Sequence, residues 1–379
     1  MCRNRHLKVF QEKLCYNRYM EALKKKRPKP KLLVLSSLCV AALALYGLAR
    51  IPVFSEYVFA RGLTRWLSFI LGRLTNYIPV SFYELTAVFL IVGGAALAAH
   101  LIALLCKKNF ARAVLWIYRL AVAALSVLLA FGALYAPLYG RQSAAEALGL
   151  ADTEVTEAKL YDAAAFYVKE LNETSAAMER GGEGNVRPSY GFGELADRLN
   201  AEFSALGGGY FAECEVRPKA VLLSVPMSYL GITGIYFPFY AEANVNVNIP
   251  PYELPVTMAH EMAHAKGVSR ENEANIVAYA LCIRSGDDYL RYSGLMNAAA
   301  VLLNALPEES CKELRGELDE EILAEYAAAN EHYAKYDGWI DGISSFFNDL
   351  FLKSNGVAGG TRSYGETAES LVALYEQLA

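Results

Sequence analysis

Three apolar runs in the first third of the chain, residues 32–48, 85–105 and 113–135, constrain the fold before anything else does. Each is near the ~20 residues that cross the hydrocarbon core of a bilayer as a helix, so three membrane spans are expected within residues 32–137. They also explain the composition. Hydrophobic residues make up 54% of the 379, and the mean hydropathy of +0.20 is too apolar for an ordinary soluble enzyme, with the excess lying before residue 140. Residues 53–80 form a fourth apolar stretch, but Glu56, Arg61, Arg65 and Arg73 interrupt it, which predicts an amphipathic helix lying in the membrane interface.

Charge beside the spans sets their direction. Ahead of the first, Arg3, Arg5, Lys8, Lys13, Arg18, Lys24, Lys25, Lys26, Arg27, Lys29 and Lys31 face only Glu12 and Glu21, while Lys107, Lys108 and Arg112 lie between the second and third. Positive residues stay on the cytoplasmic side, so residues 1–31 read as a basic cytoplasmic leader of a multi-pass membrane protein. An odd number of spans then puts residues 138–379 outside the cytoplasm. A basic stretch directly before a span is a topology anchor rather than a nucleic-acid tail, and no nucleic-acid partner is expected. The first apolar run is long and follows a 31-residue leader, which argues against a cleaved signal peptide. Of seven cysteines, Cys214, Cys282 and Cys311 fall in the outer part. Three cannot all pair internally; a Cys282–Cys311 disulfide and free buried thiols are both compatible with the sequence, and without a C-x-x-C spacing a cysteine metal site is not expected.

The chemistry concentrates in residues 257–275. Two of the five histidines bracket a glutamate as His260-Glu261-x-x-His264. On a helix the i, i+4 spacing puts both imidazoles on one face, where they can grip one zinc ion while Glu261 reaches the water bound beside it. The flanking Met258, Ala259, Met262, Ala263 and Ala265 suit a helix packed in a core. Pro250, Pro251 and Pro255 precede it and Gly267 follows, which predicts a helix entered near Leu254 and closed by a glycine cap. Lys266 is the departure, because metallopeptidase patterns usually carry a hydrophobe there.

A third ligand must complete the site, with Glu271 and Glu273 the nearest carboxylates. In a helix beginning near Ser269, Glu271 and Asn275 share a face and Glu273 points elsewhere. Glu271 is therefore the expected third ligand. The Asn275 side-chain oxygen would accept a hydrogen bond from a ligand histidine, and Glu273 is a second outer-shell candidate. An alternative role for Glu271 and Glu273 is simply the charged first turn of a helix.

Residues 227–279, with Tyr-Leu-Gly-Ile-Thr-Gly-Ile-Tyr-Phe-Pro-Phe, Glu-Ala-Asn-Val-Asn, Ile-Pro-Pro-Tyr-Glu-Leu-Pro and His-Glu-Met-Ala-His, resemble the bacterial membrane family filed as domain of unknown function 3810. The C-terminal Leu-Phe-Leu-Lys-Ser-Asn-Gly-Val and Ser-Tyr-Gly resemble it too, and the likeness covers most of the chain after residue 31. The resemblance implies a membrane-anchored zincin of unassigned substrate. Glu271-Asn-Glu-Ala-Asn275 is also similar to the Glu-x-x-Ala-Asp or Glu-x-x-Ala-Asn segment of several zinc peptidases, in which the first glutamate binds the metal.

The outer part is long enough for one substantial core. Helices are expected at 153–171, 191–205, 272–284, 292–305, 309–336, 339–352 and 364–378, and strands at 220–225 and 235–249. The expected fold is α+β and mainly helical: transmembrane helices, then a zincin-like domain with a small sheet and an active-site helix. Within 242–249, Ala243, Val245, Val247 and Ile249 alternate with Asn244, Asn246 and Asn248, giving one buried and one polar face. This strand could be an edge that pairs with an extended substrate, or an internal strand paired on both sides.

Together these readings predict a gluzincin-like zinc metalloendopeptidase acting on protein or peptide substrates. His260, His264 and Glu271 would hold the metal, and Glu261 would act as base and then acid. The sequence leaves the oxyanion donor open, with Tyr364, Arg362 and His332 as downstream candidates. An intramembrane protease is disfavoured because the motif helix is about 13 residues, or ~20 Å, and follows a proline-rich turn. The rival reading is a non-catalytic membrane sensor or scaffold with a zinc-stabilised fold. Glu261 argues against that rival, since a structural site needs no base.

Overall fold

The computed structural model describes residues 30–150, 153–181, 184–188, 190–206, 209–338 and 364–379. Three helices are long and apolar enough to cross a membrane: α1 (Pro30–Leu48), α4 (Phe82–Cys106) and α5 (Phe110–Leu134). Between α1 and α4 the chain runs through α2 (Phe54–Leu63), wound as a π-helix, and α3 (Thr64–Thr75). After α5 come a 3₁₀ turn at Ala136–Gly140, short α6 (Ala144–Ala147), α7 (Glu157–Ser175) and α8 (Phe192–Leu206). Then follow β1 (Lys219–Ala220), α9 (Ser224–Ser228), β2 (Gly234–Phe237) and β3 (Glu242–Val245). The chain ends in helices α10 (Leu254–Ala265), α11 (Glu271–Arg284), α12 (Asp288–Ala305), α13 (Glu308–Arg315), α14 (Glu320–Ala334) and α15 (Tyr364–Leu378).

The expected helices are present within a few residues, with two exceptions. The 309–336 stretch is broken between α13 and α14, where Gly316 weakens the helix and Asp319 takes the N-cap position of the next. The helix expected at 339–352 lies outside the described residues. The strands differ more. Of 220–225 only Ala220 lies in a strand, the end of β1, because Ser224 Oγ turns back to Val221 O and Leu223 N–H is taken by Glu84. The 235–249 run is not one strand but a hairpin. Pro238 and the left-handed Ala241 (φ +52°) fold it between β2 and β3.

The sheet order is β1-β3-β2, with β1 parallel and β2 antiparallel to β3. Residues 242–245 are thus the centre, paired on both sides, which corrects the edge-strand alternative. All four are buried, and so is Asn246. The asparagine face is not solvated. Asn244 bonds Ser81 Oγ at 2.6 Å, and the Asn246 amide donates to Ser228 Oγ and Ile232 O.

The core lies among α7, α10, α11, α12 and α15, where Met258, Met262, Ile276, Leu290, Tyr292, Leu295 and Met296 are fully buried. Burying a side chain of that size stabilises by ~1.5–3 kcal/mol, so this packing rather than helix propensity holds α10 in place. The orphan Val256 N–H in the first turn of α10 is satisfied by Ser293 Oγ of α12. Cys282 and Cys311 are free thiols. Residues 54–84 do not stand apart from this core. Arg65 donates to Gly209 O and Tyr210 O, Thr75 to Tyr240 O and Asn76 to Glu215 O, while the Phe82 and Tyr83 amides at the start of α4 donate to Glu242 Oε2.

Candidate metal centre

Helix α10 ends in a tight glycine turn that also builds the site. Gly267, at φ +100°, lets its own N–H reach His264 O and the Val268 N–H reach Ala263 O, the paired bonds of a Schellman cap. The reversal carries Val268 O to within 2.7 Å of His264 Nδ1. That carbonyl accepts a hydrogen bond from Nδ1–H, which leaves Nε2 as the nitrogen that faces the site. Three residues later α11 begins with Glu271, whose carboxylate returns to the two histidines.

The ligand atoms converge. His264 Nε2 is 3.0 Å from His260 Nε2, and Glu271 Oε2 is 3.1 Å from His260 Nε2 and 3.6 Å from His264 Nε2. Tetrahedral bonds of ~2.0–2.2 Å put ligand atoms ~3.3–3.6 Å apart; two sides of this triangle are a few tenths of an ångström shorter than that and the third matches, so two imidazoles and one carboxylate could hold a metal ion here after a small outward shift. Burial opposes charge on His264, but the Glu271 carboxylate beside it outweighs this and pushes its pKa up to about 9. The same histidines, against the opposing effect of burial, hold the Glu271 carboxyl far below the usual carboxylate range.

Glu261 is 4% exposed, and its Oε2 is buried with no protein partner. Burial is the main cause, only partly offset by His260 and His264, of a carboxyl pKa raised to about 7. Its side chain packs against β2. A Cβ added to Gly234 would lie 2.5 Å from Glu261 Oε1 and under 3 Å from Cγ and Cδ, so this strand passes as closely as a backbone can.

Together these groups line a cleft of about 800 Å³ with Gly231–Tyr236 along one side. Asn275 lies on its wall, but no hydrogen bond joins it to either histidine, and the Val268 carbonyl takes the expected place at His264. Glu273 is turned away, buried against Arg270 at 3.1 Å, and takes no part at the ligands. His332 bonds Asn248 O at 2.9 Å and does not line the cleft, Arg362 lies outside the described residues, and the Tyr364 side chain is not described. Lys266 is buried where a hydrophobe was expected. Its ammonium donates to Cys214 O and Ala212 O and lies over the Phe203 ring, which is how a charge is accommodated there.

Over residues 59–372 the chain matches the family described as Protein of unknown function (DUF3810). The chain belongs to that family. No curated protein and no solved structure matches it.

In this DUF3810 protein the site also uses residues that the motif does not announce. Tyr135, immediately after α5, places its hydroxyl 3.1 Å from His264 Nδ1, and Phe131, Tyr135 and Tyr139 form a second wall of the cleft. Burial and the nearby Glu271 raise the Tyr139 pKa well above its ordinary value, so its hydroxyl stays a proton donor. Arg141 braces the glycine turn. It donates to Gly267 O at 2.7 Å, pairs with Glu56 of α2 and stacks 3.7 Å over the Tyr210 ring. The Tyr-x-x-x-Tyr-Gly-Arg run directly after the third apolar stretch was the available sequence signal. It carries no ligand spacing of its own.

Proposed function

We propose that this protein is a membrane-embedded zinc peptidase with its cleft outside the cytoplasm, cutting polypeptide beside the bilayer surface. One observation carries the reading: three ligand atoms within 3.6 Å of one another stand beside a buried glutamate whose free oxygen has no protein partner. A purely structural zinc site would close with a fourth protein ligand and would not keep such a carboxylate at the cost of its desolvation.

His260, His264 and Glu271 would hold the zinc, which when bound supplies Lewis-acid chemistry for water and a scissile carbonyl. Glu261, whose buried Oε2 has no protein partner, would take the proton of the attacking water and give it to the leaving amine. Tyr139, which lines the cleft, would be the donor to the oxyanion. Substrate would lie along β2 rather than β3. Because Asn246 N–H bonds Thr233 O, the alternation of an antiparallel pair turns the main-chain groups of Gly234 and Tyr236 away from β3, where an extended chain can pair with them.

The test uses the full-length protein in detergent. About one zinc per chain and hydrolysis of a peptide library are expected; His264→Ala should lose the metal, and Glu261→Gln should keep it while losing turnover. Full zinc occupancy in the first variant or unchanged turnover in the second would overturn the assignment.

A further inference from the structure

Between Lys219 and Glu242 the chain carries no charged residue. Residues 222–230, a loop that includes the short α9, turn all their large hydrophobic side chains but Met227 outward: Leu222 is 89% exposed, and Leu223, Val225, Tyr229 and Leu230 are all exposed. Elsewhere after residue 138, among the described residues, the large hydrophobics are covered except for Val247, which adjoins this loop, and Leu378 near the C-terminus. The loop is built rather than slack. Ser224 Oγ donates to Val221 O and accepts Val247 N–H, and Ser228 Oγ receives both the Asn246 and Asn248 side-chain amides. Its polar groups are satisfied inward while its apolar ones point out.

Its height is fixed as well. Leu223 N–H donates to Glu84 Oε1 at 2.7 Å, and Glu84 lies in the first turn of α4, where Glu242 accepts the Phe82 and Tyr83 amides. The loop therefore stands beside the point at which α4 begins its apolar course. It then runs through Leu230 into the cleft wall, whose other side, Phe131 and Tyr135, continues from the end of α5.

We propose that residues 222–230 dip into the outer interface of the bilayer and make the cleft mouth open onto lipid, so that the substrate is a polypeptide tethered to the membrane, cut a few residues from its anchor. The occupant of the apolar face is lipid because the face is continuous with the lipid-facing surface of α4 and has no charge to match a soluble partner. The substrate part rests on the peptidase reading above; the lipid part requires only that α1, α4 and α5 span.

Full-length protein in phosphatidylcholine vesicles, with and without brominated acyl chains, tests the lipid part. The fluorescence added by Leu222→Trp should be quenched at least twofold by the brominated lipid, and that added by Leu378→Trp should not. An unquenched signal at 222 overturns the insertion, and a detergent-stable dimer lost in Leu222→Ser/Leu223→Ser would identify a second copy as the occupant instead. For the substrate, one mixed peptide library is offered free or carrying a palmitoyl anchor. The wild type should cleave the anchored form about tenfold faster, and the Leu222→Ser/Leu223→Ser variant should lose that preference while retaining zinc and the rate on free peptide. Equal rates on both forms overturn the substrate class, whereas cleavage of neither overturns the peptidase reading and leaves the quenching result to stand alone.

Discussion

Replacing Gly234 by Ala probes the proposed catalytic geometry without touching a proposed ligand. Gly234 does not have a positive φ, so alanine can adopt its backbone, and the perturbation is steric alone. The new methyl would lie 2.5 Å from Glu261 Oε1, 2.7 Å from Cγ and 2.8 Å from Cδ, against the 3.4–4 Å of ordinary contact. Relief requires the Glu261 carboxylate or β2 to move by about 1 Å. β2 is hydrogen-bonded to β3 and Glu261 is held by α10, so overpacking should cost ~1–3 kcal/mol of stability. Misplacing a reacting group by 1 Å costs ~100-fold, so kcat should fall by that factor, equivalent to ~2.7 kcal/mol in the barrier. Zinc content should not change, because the three atoms nearest the added methyl all belong to Glu261 and none to His260, His264 or Glu271. Metal analysis together with turnover of the purified protein decides the matter. Wild-type kcat would refute the placement of Glu261 beneath β2, and loss of zinc would refute the claim that base and ligands are separately held.

Zinc binding should strengthen with pH about tenfold per unit until near pH 9, because the ion must displace the proton that Glu271 holds on His264; chelator competition at several pH values measures this, and a flat profile from 6 to 9 would contradict it. Tyr135→Phe should weaken zinc binding by about tenfold, the low end for loss of an outer-shell partner, because Val268 O still orients the ring. Unchanged affinity would make Tyr135 a packing residue. Protease added to intact cells should reach residues after 138 but not the basic leader, and protection of the C-terminal part would reverse the orientation.

The parts of the fold legible in sequence were those set by local period and punctuation. Apolar runs of about 20 residues became α1, α4 and α5, and Pro255 and Gly267 bounded α10 within a residue of expectation. Glu271 could be placed because the i, i+4 geometry of two consecutive helices is itself local. The sheet was not legible. Alternation in 242–249 reads as one buried and one polar face, but Asn244 and Asn246 are satisfied by Ser81, Ser228 and Ile232, groups far from them in sequence. A polar residue that finds a distant partner is indistinguishable in sequence from one that meets water, and so the alternation left edge and internal strand both open.

The boundary drawn at residue 138 hides a similar long-range dependence. The apolar helices and the rest of the chain look separable because hydropathy changes there, yet the candidate site is completed across that line. Glu56 of α2 holds Arg141, Arg141 holds the Gly267 carbonyl, and that turn aims Val268 O at His264, while Tyr135 approaches the same ring from the end of α5. Cutting the chain at 138 would leave Arg141 buried without its carboxylate, which costs several kcal/mol when one partner of a buried pair is removed, and would strip one wall from the cleft. A fragment of residues 138–379 is therefore expected to bind zinc poorly or to misfold, even though it contains every ligand. On the proposed reading, metal binding would be a property of the whole chain, because the apolar helices that resemble a mere tether also hold the groups around His264.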